Sequence, residues 1–120
     1  MVVDIEQIRE KEFALFRKAI RKFYKSRQDQ YLKEFRNRIE AGEIDPDDSD
    51  YKEFCNNDAK EFMSSRGSRV LEFVKEYVDK RSNEILDAVA DKKLVKGEAG
   101  VQLEVLKYIL LAGEEDSQKG

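Results

Sequence analysis

The opening third of the chain carries apolar side chains at Ile5, Ile8, Phe13, Phe16, Ile20, Phe23, Tyr24, Tyr31, Phe35 and Ile39. Most steps between them are three or four residues, the period that brings side chains onto one face of an α-helix. The spacing predicts a single long amphipathic helix from about Asp4 to Glu40. Asp4 is positioned to cap it, and Glu6 favours the positive end of its dipole. The stripe thins between Ser26 and Gln30, where a bend or break is expected. Unbroken, such a helix is roughly 50 Å long, too long to bury its apolar face against one compact neighbour. That length already points to a partner surface.

The rest of the chain reads as shorter helices. Ala41-Gly42 ends the first, and Asp45-Pro46-Asp47-Asp48-Ser49-Asp50 forms an acidic loop. Asp50 and Glu53 have capping-box spacing, which starts a second helix bearing Tyr51, Phe54, Cys55, Ala59, Phe62 and Met63, with an interruption expected at Asn56-Asn57. Ser64 to Ser68 breaks the pattern. A third helix, about Ser68 to Ala90, presents Val70, Leu71, Val74, Tyr77, Val78, Ile85, Leu86 and Val89 as one stripe. Arg81 interrupts the apolar side of that stripe. Either its stem snorkels with the head in water, or it belongs to a buried ion pair or a partner contact. Residues 94–105 fit a strand and turn, with Val101, Leu103 and Val105 alternating, but Leu103, Leu106, Ile109 and Leu110 fit a helix ending at Gly113, which is favoured. The fold class expected is therefore all-α: a long amphipathic N-terminal helix packed with two or three further helices in a bundle. One helical domain over 1–112 and a polar, flexible tail over 113–120 complete the reading.

Composition agrees. Thr and Trp are absent and Pro occurs once, while 12 Phe and Tyr residues suffice to anchor a core. Straight-chain residues dominate, and these lose little rotamer freedom in a helix. The lone Cys55 excludes an internal disulfide and fits a reducing, cytoplasmic location. No apolar run approaches the ~20 residues that span a bilayer, and Met1 to Glu6 lacks the regions of a signal peptide.

The chain carries no His, which removes the usual nucleophile pairs and most transition-metal sites. Tested as an EF-hand from Asp45, the acidic loop puts Asp50 where the turn glycine belongs and Asn56 where the bidentate Glu belongs. No catalytic residue, metal ligand or cofactor site is expected, and the reading is of a non-enzyme.

Charge distribution is the positive signal. Arg17, Lys18, Arg21, Lys22, Lys25, Arg27, Lys33, Arg36 and Arg38 make a basic block, and Glu40 to Glu61 is predominantly acidic. Arg17, Arg21 and Lys25 recur at i,i+4, with Lys18 and Lys22 alongside. These five are candidates to contact nucleic acid or an acidic partner, with Phe16, Phe23 and Tyr24 near enough to stack on bases. Alternatively, the aromatics are core and the basic face pairs with the acidic segment. The candidate protein interface is the apolar stripe at Phe13, Phe16, Ile20, Phe23, Tyr31 and Phe35.

With the helices placed, the chain resembles the helical A-domain of a small archaeal-type GINS subunit, from the assembly that accompanies the replicative helicase. The resemblance is carried by Val3-Asp4-Ile5-Glu6-Gln7-Ile8-Arg9-Glu10 opening a long helix and by Arg69-Val70-Leu71-Glu72-Phe73-Val74 followed by Lys80-Arg81-Ser82-Asn83-Glu84-Ile85-Leu86-Asp87-Ala88. Leu94-Val95-Lys96-Gly97-Glu98 then leads into Leu103 to Ile109. It implies a non-catalytic, architectural subunit in DNA replication, docking by helix-to-helix interfaces in a homo- or hetero-oligomer. A small phage or stress regulator that binds another protein is a further alternative.

Overall fold

The computed structural model describes residues 4–64 and 69–119. Four helices account for nearly all of them: α1 (Ile5–Glu40), α2 (Tyr51–Met63), α3 (Val70–Ala90) and α4 (Lys96–Lys119). No strand occurs among the described residues. The expected pattern break at Ser65 to Ser68, the start of the third helix at Ser68 and the opening Val3 lie outside those residues.

α1 is one continuous helix, capped as the sequence predicts by the Asp4 carboxylate, which accepts the Gln7 amide at 3.2 Å. The helix does not break at Ser26 to Gln30. Polar side chains there thin the apolar stripe without leaving the helical ladder. The interruption expected at Asn56-Asn57 is also absent from α2. Asp50 precedes α2 but makes no side-chain capping bond: its backbone (φ −92°, ψ 5°) is not the extended one of a capping residue, and its amide donates to the Asp48 carboxylate at 3.0 Å. Asp45 accepts the Asp47 amide likewise, so the acidic loop is held by its own short side chains.

α1 and α3 end in the same way. Gly42 and Lys92 both take left-handed backbone (φ 79° and 60°). Each donates its amide two residues behind the cap, to Ile39 and Val89, while the next residue reaches back to Arg38 and Ala88. Both ends are Schellman motifs, one with glycine in the left-handed position and one with lysine.

α2 and α3 lie one after the other along α1, both running against it. Phe62 meets Tyr31, Phe73 stacks on Phe23 with centroids 4.5 Å apart, and Tyr77 meets Phe16. α4 returns beside α1 and α3, covering only the first part of α1: Tyr108 meets Phe13 edge-on and Arg9 faces Glu104. The alternating Val101, Leu103 and Val105 are therefore helical, because Ala99, Val105, Leu106 and Ile109 form a helical face that α3 buries. α4 also continues past Gly113 to Lys119 instead of ending there. Gly113 sits against Val74, whose Cγ1 would lie 3.2 Å from an added Cβ, so this glycine permits close helix approach and does not stop the helix.

The core occupies one end of the molecule. Val74, Ile85, Ala99, Val105, Leu106 and Ile109 are buried together, with Phe13, Phe16, Phe73 and Tyr77 packed against them. The other end is a two-helix arm of late α1 and α2, where Ile44 alone among the described apolar residues is buried. The molecule measures 66 × 27 × 19 Å with a radius of gyration of 19.7 Å. A compact chain of this length has a radius near ~14 Å. The all-α class and the long first helix are as expected, but the packing extends the molecule beyond a closed bundle.

Candidate partner interface

The arm begins where α3 and α4 stop covering α1. Tyr31 and Phe35 face α2, with Tyr31 to Phe62 at 4.8 Å and Phe35 to Tyr51 at 6.3 Å. The Arg27 guanidinium lies 4.5 Å above the Phe62 ring and Arg38 lies 5.6 Å above Phe54. Asp58 is the polar clasp between the helices: the Tyr31 hydroxyl donates to it at 2.7 Å, and Arg38 Nη1 donates to its two oxygens at 3.3 and 3.2 Å. Burial, then the Asp58 hydrogen bond and charge, push the Tyr31 phenol well above the ordinary tyrosine range. These contacts hold α2 in place without burying it. No residue of α2 is fully buried, and its aromatic rings keep a share of their surface in water.

The six residues of the predicted apolar interface separate between the two ends. Phe13 and Phe16 pack against the core, and Phe23 is covered by Phe73. These three are half-buried on the face that α3 and α4 occupy. Ile20 is half-buried beside them, whereas Tyr31 and Phe35 belong to the arm. Phe54, on α2, and Leu32, on the outer face of α1, are 39% and 59% exposed.

The predicted basic contact residues lie on the outer side of α1. Lys18, Arg21, Lys22 and Lys25 are exposed and form no ion pair among the described residues, while Arg17 bonds to Glu10 at 2.5 Å. The pairing of basic face with acidic segment is made farther along, by Arg38 with Asp58 and Glu43. Phe16 and Phe23, near enough in sequence to this face, are half-buried and engaged by Tyr77 and Phe73. At the far tip, Ile44, Tyr51 and Phe54 floor an open cleft of about 210 Å³ rimmed by Glu43, Asp45, Asp48 and Asp50. Apolar floor and acidic rim together suit the stem and head of a lysine or arginine.

One internal site was only half legible. Glu12, 1% exposed, receives Arg81 Nε on both carboxylate oxygens at 3.2 Å, Arg81 Nη2 at 2.5 Å and Gln102 Nε2 at 3.3 Å. Arg81 also donates to Glu84 at 3.2 Å. The Glu12 hydrogen bond chiefly raises the Arg81 guanidinium above its ordinary value, while burial, then the Glu12 charge, raises the Tyr77 phenol. Of the readings open for Arg81, the structure selects the buried ion pair. Glu12 carried its own signal: it stands four residues from both Ile8 and Phe16, a lone carboxylate inside an apolar stripe.

No helix among the described residues is long and apolar enough to cross a membrane, and no group of residues there is arranged to hold a metal ion. No known protein family, curated protein sequence or solved structure gives a significant match to this chain.

Proposed function

We propose that this chain is a non-catalytic helical assembly subunit that works by protein-protein interaction, using the two-helix arm as its docking element. The observation that carries this reading is the arm itself. Late α1 and α2 present half-exposed aromatics, an exposed Leu32 and a charged tip, with no third helix over them. Apolar surface in such an arrangement is stabilised when a further element covers it. Membership of a DNA replication assembly is the finer form of the proposal, and it rests on the GINS-like order of helices and residues. Affinity purification of the full chain from its native cells at low and high salt tests both forms. The expected result is a stoichiometric protein complex that weakens with salt and contains replication proteins. A monomer with no co-purifying protein overturns the reading, and a complex of unrelated proteins overturns only its replication form.

A second reading, direct nucleic-acid binding, is favoured by the exposed Lys18, Arg21, Lys22 and Lys25, which lack internal ion-pair partners among the described residues. It predicts a salt-sensitive mobility shift with DNA or RNA that is lost when Arg21, Lys22 and Lys25 are changed to Glu. No shift at low salt rules it out.

A further inference from the structure

Exposed basic residues start the arm on α1, and a cluster of carboxylates closes its tip. Arg21, Lys25, Gln28, Leu32 and Arg36 follow one another at steps of four, three, four and four residues, and all are exposed. They form one outer stripe on α1, basic where the arm leaves the core, apolar at Leu32 and basic again at Arg36. The acidic cleft of Glu43, Asp45, Asp48 and Asp50 closes the opposite end. From Lys25 to Gly42 the separation along the helix is ~25 Å at 1.5 Å per residue. Within one chain these opposite charges do not meet. A two-fold axis across the arm near Lys33 and Glu34 removes that separation. It sets the tip of each copy over the basic base of the other and brings the two exposed Leu32 side chains close to the axis.

We infer that the occupant of the arm is a second copy of this chain, docked antiparallel and arm to arm so that each acidic cleft receives the other copy's Arg21 and Lys25. This deepens the assembly reading and rests on it, naming the first partner as the chain itself. The match is isologous, as a two-fold dimer requires: each arm carries both halves of the charge pair. The cleft suits the incoming side chains, with Tyr51 and Phe54 against their stems and carboxylates around their heads. Two arms together make four antiparallel helices, enough to cover the aromatics that two helices leave half-exposed.

The test is the mass of the full-length chain in solution, by light scattering and sedimentation across salt and concentration. The expected species has the mass of two 14.0 kDa chains at low salt and dissociates as salt screens the charges. Arg21→Glu with Lys25→Glu in one variant, and Asp45→Lys with Asp48→Lys in another, should each be monomeric with unchanged helical content. Mixed in equal amounts, these two variants should restore a dimer containing one of each, because both reversed contacts again pair opposite charges. Leu32→Asp should be monomeric and not rescued by either. A native chain that is monomeric at every salt and concentration overturns the inference, as does a dimer indifferent to both charge reversals or a mixture that fails to pair. If that monomer still co-purifies with a different protein, the assembly reading survives and the self-partner fails. A monomer whose basic stripe is needed only for a nucleic-acid mobility shift overturns the inference in favour of that ligand.

Discussion

Glu12 and Arg81 sit 69 residues apart in sequence and meet inside the three-helix end with little solvent around the carboxylate. Replacing one partner leaves the other charge buried without its counter-ion, which typically costs about 3–5 kcal/mol. Arg81→Met is therefore expected to lower the unfolding free energy by that order in urea titration. Replacing both, as Glu12→Leu with Arg81→Met, should recover most of the loss, since an apolar pair of similar volume avoids the desolvation altogether. Tyr31 gives a pH-dependent counterpart. Its phenol is raised in the folded chain, so the fold favours the neutral form. That contribution is complete below the ordinary tyrosine value of about 10 and is lost as pH rises through the higher folded value. Denaturation across alkaline pH should show a shallower loss of stability in Tyr31→Phe than in the native chain. Tyr77, also raised, is common to both proteins, so the difference reports Tyr31.

At the scale of elements, helix ends and glycines separate local from packing effects. Lys92 holds left-handed backbone that costs an L-residue roughly 1–2 kcal/mol relative to glycine. Lys92→Gly should accordingly raise the thermal midpoint, by up to about 1 kcal/mol in stability after loss of a favourable charge at the helix end. In α4, Gly100 has open space where a Cβ would go, whereas Gly113 faces Val74. Gly100→Ala should stabilise by about 0.5–1 kcal/mol through helix propensity. Gly113→Ala should gain less or lose, because α3 must shift to admit the methyl. Thermal melts of the two variants side by side distinguish these outcomes. α2, with no fully buried residue, should exchange its amide hydrogens faster than α3 or α4 when the chain is monomeric, measured by mass spectrometry.

For the molecule as a whole, shape is the main consequence. A long helix covered on only part of its length gives a radius of gyration of 19.7 Å. Small-angle scattering of the monomeric Leu32→Asp variant should return a value close to that and far from the ~14 Å of a compact domain. The sequence by itself determined the helices. Period, the Asp4 cap and the Gly42 stop are local signals, written in residues within a turn or two of one another. It also exposed the charge segregation and the irregularity at Arg81. Tertiary structure decided how far each helix is covered, which aromatics became core, that Glu12 answers Arg81, and that Gly113 admits a neighbour instead of ending a helix. Those depend on contacts between residues tens of positions apart, and an apolar stripe specifies that a face must be buried without specifying by what.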